Sequence, residues 1–421
     1  MLPKYNEIFS VEKKHASSLR CIFAPTIEKT LATVLLRKNE ERRIKQGHLW
    51  IFSNEITKVE GDISNGDLVQ VYDSKNNFTG SGFYNGNSLI AVRIISNEEL
   101  VDLENLFRSR LHSAYEFRKN IYPKRESFRM IFSESDYLPG LIIDKYNDTF
   151  VLQVYSAGIE KNIESIVKIL TEDFSAKSIF TKGEEYFRKL EGLPGENKVY
   201  LGEMNEEIIY DGRVKYKINF ATAHKTGFYF DQCDNREFFG KFCENQSVLD
   251  CFCNAGGFGL HAAHGNAKEI IFIDSSSEEI KNAQENYSLN GFTNKAEFIQ
   301  FDVFDYLEKC KTENKTFDVI NLDPPAFAKN KKTLATAIKG YEKLNRLALD
   351  LLNDSGLLFT SSCSHHLKKE MFLDAINTAA LKAGKKIQLF YFNNASLDHP
   401  SLPAMEETVY LKFASLKLTD Q

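Results

Sequence analysis

Four carboxylates, two glycines and one thiol in the second half of the chain have the types and spacing that chemistry on a nucleoside needs. Val248-Leu-Asp-Cys-Phe-Cys-Asn-Ala-Gly-Gly-Phe258 reads as a strand entering a glycine turn, and Glu269-Ile-Ile-Phe-Ile-Asp274 as the strand after the next helix. Such a unit sets a turn at the carboxyl edge of a parallel sheet, where Gly256 and Gly257 let backbone approach a ligand and Asp274 accepts from ribose hydroxyls. A Gly-Gly pair alone is explained as well by the steric needs of a strand-to-helix turn. The dinucleotide pattern Gly-x-Gly-x-x-Gly is absent, and the turn follows Asp250 instead of opening straight onto a phosphate-binding helix. A nucleoside ligand without a pyrophosphate is therefore favoured, and S-adenosylmethionine fits that description. Asp302, at the end of the next strand, is placed to accept from an adenine amino group or to cap the helix that follows.

The second cluster is stronger. Phe317-Asp-Val-Ile-Asn-Leu322 delivers Asp323-Pro-Pro-Ala-Phe327, where two prolines stiffen the loop, remove two backbone donors and hold the carboxylate toward a cleft. Gly356-Leu-Leu-Phe-Thr-Ser-Ser362 runs into Cys363-Ser-His-His366, which puts a thiol at the carboxyl edge one strand from Asp323, where a substrate base must enter. An unplaced cysteine is usually a small buried hydrophobe; this position makes Cys363 the candidate nucleophile. His365 and His366 are adjacent, which suits neither a shared metal ion nor a paired catalytic role, so no metal is expected. They can tune the thiol.

The elements that must carry these residues follow from pattern. The chain has 421 residues, 43% hydrophobic and 26% charged, with net charge −5. That is a soluble globular protein of two or three domains, without a membrane span or secretory signal, and the cytoplasm is its expected compartment. Seven scattered cysteines form neither zinc clusters nor a disulfide framework; Cys251 and Cys253, one residue apart, should face opposite sides. Residues 1–29 form a polar leader without assigned function. Residues 30–100 read as short strands, at 31–36, 47–52, 67–72, 78–84 and 88–95, with a polar helix at 37–45, the pattern of a small β-barrel-like domain. Trp50, the single tryptophan, reads as core. Residues 101–205 supply a linking helix and a small α+β domain. From 206 onward come a hairpin turning at Asp211-Gly212 and an α/β pattern of seven strands, the last pair expected at 386–392 and 408–413.

Three stretches resemble one family. Arg43-Ile-Lys-Gln-Gly-His-Leu-Trp-Ile-Phe-Ser-Asn-Glu-Ile56 resembles the opening of its PUA domain, Glu134 to Asp144 its central α+β domain, and His224-Lys-Thr-Gly-Phe-Tyr-Phe-Asp-Gln-Cys-Asp-Asn-Arg236 its signature before the first cofactor strand. Over about Thr30 to Phe413 the chain resembles the class I S-adenosylmethionine-dependent 23S rRNA cytosine-C5 methyltransferases with an N-terminal PUA domain. The resemblance implies an α/β fold with a Rossmann-like catalytic domain. It further implies a loop at Gln232 over the methyl donor, with Asp250, Gly256, Gly257, Asp274 and Asp302 around it. Large-subunit ribosomal RNA would meet Arg37, Arg43 and Lys45, which composition alone reads as a solvated helix face. Cys363 would add to carbon 6 of a cytosine whose edge Asp323 binds, after the base has left its stack. Many RNA cytosine-C5 enzymes carry a cysteine where this chain has Pro325, so a two-cysteine scheme is not expected. Guanine-N7 methylation, an inert methyltransferase domain on an RNA-binding protein, and a nucleotide-dependent dehydrogenase stand as alternatives. Homodimerisation through the small domains is left open.

Overall fold

Residues 31–223, 225–328 and 330–419 are described by a computed structural model; the polar leader lies outside them. Short apolar runs at the start pair into a six-stranded sheet in the order Trp50–Phe52, Ile90–Ser96, Phe78–Tyr84, Leu68–Tyr72, Ala32–Leu36, Ile56–Glu60. Only the Ala32–Leu36 and Leu68–Tyr72 pair is parallel. Alternation puts Val34, Ile51, Val69, Val71 and Val92 into one fully buried cluster, each side chain contributing roughly 1.5–3 kcal/mol of burial. Ile56–Glu60 is a strand the pattern did not suggest: at the sheet edge, Thr57, Lys58 and Glu60 stay exposed and dilute the apolar signal. The expected helix at 37–45 shrinks to Glu41–Lys45, because Asn39 takes a left-handed φ of 74°. Trp50 is half-buried, and its indole donates to Glu134 Oε1 at 2.8 Å, tying this sheet to the next.

Helix Leu103–Ile121, capped by Asp102, leads to a five-stranded sheet of Phe128–Phe132, Leu141–Tyr146, Thr149–Val154, Ser178–Thr181 and Val199–Leu201. Hairpin Glu206–Asp211 and Val214–Asn219 follows. Asp211 pairs with Val214, so the turn residues are Gly212 and Arg213, one step later than expected. The displacement has a cause in Asp211 itself, which is buried against cations and cannot sit at a solvated corner.

The remaining chain forms β1 (Ser247–Cys251), α1 (Gly257–His264), β2 (Glu269–Asp274), α2 (Ser277–Leu289), β3 (Lys295–Gln300), α3 (Val303–Thr312), β4 (Phe317–Leu322), α4 (Leu334–Asp350), β5 (Leu352–Ser362), α5 (Lys369–Ala383), β6 (Lys386–Asn393) and β7 (Lys412–Thr419). Sheet order is β3-β2-β1-β4-β5-β7-β6, with β7 antiparallel to both neighbours. The last strand begins at Lys412 instead of 408; Glu406–Thr408 is a single 3-10 turn. Successive residues of β1 serve opposite cores: Leu249 packs with Leu322, Tyr341 and Leu344 on one face, Val248 with Phe239, Phe272 and Phe359 on the other. Cys251 joins the first core and Cys253 the second, as their spacing suggested.

The loop between β6 and β7 reaches into the middle sheet. Asp398 is fully buried: its carboxylate accepts from the Arg129 amide at 2.9 Å, and its carbonyl accepts from Arg118 at 2.9 Å. Arg118, itself fully buried, is gripped in bidentate fashion by Asp136 at 2.6 and 2.7 Å.

Candidate active site

The edge at which β1, β2, β4 and β5 end gathers the residues read from the sequence. Phe252 and Asn254 adopt φ of 60° and 49° and Gly256 a φ of 91°, so the backbone doubles back before α1. A Cβ on Gly256 would lie 3.2 Å from Ala283 Cβ and Leu260 Cδ1, and one on Gly257 3.1 Å from Arg236. Asp250 is fully buried beneath this turn, where its two oxygens take the Gly259 amide at 2.7 Å and the Asn321 amide at 2.9 Å. Burial pushes its carboxyl up to about 7. Asp250 therefore braces the turn from beneath, with a hydrogen bond on each oxygen. Asp274 is half-buried and accepts from the Asn254 and Ser276 amides, each at 3.0 Å, which leaves its carboxylate further acceptor capacity. Asp302 is exposed and caps α3 through the Asp305 amide at 3.1 Å, the second of its two expected roles.

Gly227, Phe228 and Tyr229 face Asn254, Ala255 and helix α2 across a cavity of about 290 Å³. Arg236 holds this loop closed: its guanidinium donates to the Tyr229 carbonyl at 2.9 Å and to Asp211 at 2.8 Å, and lies 4.6 Å from the centre of the Phe228 ring. Tyr146, from the middle sheet, accepts the Phe228 amide at 2.8 Å. Gln232 is not in the cavity wall. It is buried and donates to Asp323 Oδ1 at 3.0 Å and Ser361 Oγ at 3.1 Å, so it orients the carboxylate. A larger cavity of about 680 Å³, bordered by Tyr122, Arg125, Tyr210 and Lys241, holds none of these residues.

Asp323 and Cys363 come together. The Cys363 sulfur lies 4.0 Å from the Pro324 carbonyl, and the thiol is half-buried while Cys233, Cys243, Cys251, Cys253 and Cys310 are buried. Its neighbours fix it: Ser362 donates to the Tyr341 hydroxyl at 2.8 Å, Ser364 accepts the Ala328 amide at 3.2 Å, and the ammonium of buried Lys412 donates to the Ser364 carbonyl at 2.7 Å. Burial and then the charges of Asp323 and Asp231 push the thiol up to about 11, with Lys225 pulling the other way. Burial and Asp231 push the Asp323 carboxyl up to about 7. His365 packs 5.3 Å from Tyr410, and burial with Lys412 lowers it to about 4, so it is neutral and lends the thiol no positive charge. Tyr410 and Asp231, joined at 2.5 Å, complete the cluster and were not read from the sequence. The residues around Asp231 belong to a recognisable segment; Tyr410 offers no local signal.

The proposed RNA contacts are mostly engaged internally. Arg43 pairs with Glu55, and Lys45 with Asp73 at 3.2 Å; Arg37 is exposed and makes one long bond to the Ile56 carbonyl at 3.4 Å. No helix among the described residues is long and apolar enough to cross a membrane.

Residues 34–97 match the family described as PUA-like domain, and 227–392 the family described as conserved hypothetical protein 95. A methyltransferase crystallised with SAH superposes with a TM-score of 0.79 at 20% identity, covering 91% of this chain and 99% of that one; this likeness is one of fold. The ribosomal RNA large subunit methyltransferase I of Aeromonas hydrophila is 38% identical over 389 residues, 90% of this chain and 98% of that protein. That of Vibrio campbellii is 36% identical over 394 residues, 92% and 99%. With near-complete coverage of both chains, the cleft with Asp323 and Cys363 at its edge falls inside the shared length, and the chain belongs to the ribosomal RNA large subunit methyltransferase I family.

Proposed function

We infer that this chain methylates carbon 5 of a cytosine in large-subunit ribosomal RNA, using S-adenosylmethionine and a covalent adduct to Cys363. The observation that carries the reading is the half-buried thiol at the end of β5, beside the rigid Asp323-Pro324-Pro325 loop. The donor residues fit: Gly256 takes a φ of 91° that favours glycine where the backbone turns at the strand ends, and Asp274 and Asp302 offer carboxylate acceptors at the same edge. Bound there, S-adenosylmethionine supplies an electrophilic methyl group.

Carbon 5 of cytosine is a poor nucleophile until carbon 6 is attacked, and a thiolate is the group for that attack. With its thiol near 11, Cys363 rests protonated at neutral pH, and Lys225 is the cation whose charge favours the thiolate. Asp323, with a carboxyl near 7, holds a proton through part of the neutral range and can give a hydrogen bond to the base edge as negative charge grows on the ring. Gln232 keeps that carboxyl aimed. Guanine-N7 transfer would leave the placement of Cys363 without a purpose, because it needs no nucleophile.

In this reading residues 30–100 contact RNA, with exposed Arg37 the freest of the three proposed cations, residues 101–205 present it, and residues 206–421 perform the transfer. The reading also makes the enzyme cytoplasmic, where ribosomal RNA is available; a homodimer through the two smaller sheets is tested by light scattering. The functional test is transfer of labelled methyl to ribosomal RNA by wild type and Cys363→Ala, followed by nucleoside analysis. Label in 5-methylcytidine that vanishes in the variant is expected. Label in 7-methylguanosine, or full activity without the thiol, overturns the reading.

A further inference from the structure

Attack at carbon 6 and methylation at carbon 5 leave a saturated ring whose carbon 5 still carries its proton. A base must take that proton before the sulfur can leave. The carboxylates at the cleft are not equally free to do so. Asp250 spends both oxygens on the glycine turn. Asp274 and Asp302 lie at the ends of β2 and β3, beyond β1 from the thiol. Asp323 is engaged by Gln232, and the proposed mechanism already uses it to bind the base edge.

Asp231 differs from all of these. It sits in the 3-10 turn Phe230–Gln232, one residue from the side chain that orients Asp323. Three other segments fix it. Ser396 bonds its carbonyl through both amide and hydroxyl, at 2.8 and 3.0 Å, Tyr410 donates to Oδ2 at 2.5 Å, and the Gln232 side chain anchors the turn on Ser361. The other oxygen, Oδ1, is buried and has no hydrogen-bond partner. A carboxylate oxygen withdrawn from water with nothing donating to it is a cost to the fold, which folding alone gives no reason to carry. Gln232, the next residue, bonds both Asp323 and Ser361, two residues before Cys363, which brings the Asp231 turn to the strand ends that carry the nucleophile; the charge of Asp231 acts on both Asp323 and Cys363. Lys412 donates to the Ser364 carbonyl, beside the thiol.

We propose that Asp231, steadied by the Tyr410 hydroxyl, is the base that removes the carbon 5 proton. The assignment rests on Cys363 being the nucleophile. The unbonded oxygen turns toward the ring about a torsion with a broad profile. It accepts the proton, the electrons of the C5–H bond become the C5=C6 double bond, the C6–S bond breaks, and sulfur departs as thiolate. Asp231 then releases its proton to water.

Asp231→Asn keeps size and one hydrogen-bond acceptor while removing basicity. Incubated with S-adenosylmethionine and a ribosomal RNA fragment, this variant is expected to accumulate a protein–RNA adduct that survives denaturation and carries the transferred methyl by mass. Turnover falls by about a hundredfold or more. Wild type should accumulate such an adduct only on RNA with 5-fluorocytosine at the target, where no proton can leave. Both proteins should trap the fluorinated RNA equally, which reports an intact fold and intact earlier steps. Wild-type turnover by the variant, an adduct without methyl, or failure of the variant alone to trap fluorinated RNA each overturns the assignment. If wild type also fails to trap fluorinated RNA, the reading of Cys363 fails, and this assignment falls with it.

Discussion

Neutralising Asp323 should make Cys363 more reactive toward an alkylating agent while making the enzyme less active. The thiol stands near 11 because it is buried and faces Asp323 and then Asp231. At pH 8 about one molecule in a thousand is then thiolate, against about a quarter for an unperturbed cysteine at ~8.5, so alkylation should lag free cysteine by roughly two hundredfold. Asp323→Asn deletes the foremost of the opposing charges. If it removes about half of the rise from 9 to about 11, the thiolate population at pH 8 grows about tenfold. Because the Asp323 carboxyl titrates near 7, it is mostly uncharged at pH 6 and charged at pH 8. The two proteins should therefore alkylate at similar rates in acid and diverge as pH rises through 7. The assay is iodoacetamide labelling from pH 6 to 9, read on the Cys363 peptide by mass spectrometry, alongside methyl transfer, which Asp323→Asn should lower. A Cys363 labelling rate unchanged or reduced at pH 8 would refute the electrostatic coupling of the pair.

Two further outcomes concern the scaffold. Asp211→Asn leaves the buried Arg236 guanidinium without its counter-charge and should cost about 3–5 kcal/mol near neutrality; against the upward push of burial, Arg236, His261 and Arg125 hold the Asp211 carboxyl well below the usual range. A depressed carboxyl stabilises the fold above its unfolded value near 4 and loses that contribution as pH falls. The urea-unfolding gap between the proteins should thus narrow in acid, and a gap constant from pH 7 to pH 3 counts against the ion network. Gly256→Ala, at a φ of 91° and with 3.2 Å to Ala283 and Leu260, should cost about 1–3 kcal/mol and weaken S-adenosylmethionine binding by calorimetry; wild-type melting and affinity would show the turn to be slack.

Much of the site was legible because it sits where strands stop. Runs such as Val248-Leu-Asp and Phe317 to Leu322 are short, apolar and closed by a polar residue, so the ends of β1, β4 and β5 could be placed, and Asp323 and Cys363 with them. What stayed hidden depends on partners far along the chain. Gln232 looked like part of a cofactor loop, yet its bonds reach Asp323, 91 residues away, and Ser361, 129 away. Asp211 read as a turn residue because Asp-Gly is a strong local signal; its cations, Arg236 and His261, lie 25 and 50 residues on. Arg43 and Lys45 looked free for the same reason, their acidic partners Glu55 and Asp73 being outside the local window. The edge strand Ile56–Glu60 escaped notice because one of its faces is solvated.

The grip of Arg118 and Arg129 on Asp398 bears on how a substrate can enter. A loop of the catalytic sheet is fastened inside the middle sheet by buried bonds, so these parts are held like a single jig whose jaw widens at this point only by breaking buried hydrogen bonds. A tool of that kind gauges its workpiece. RNA whose backbone and target base already present the matching offset slips in, and RNA that must be bent to fit bears the whole distortion itself. Selection among nucleotides would then reside in how readily each stretch of RNA can pose, before any bond to a base edge is made.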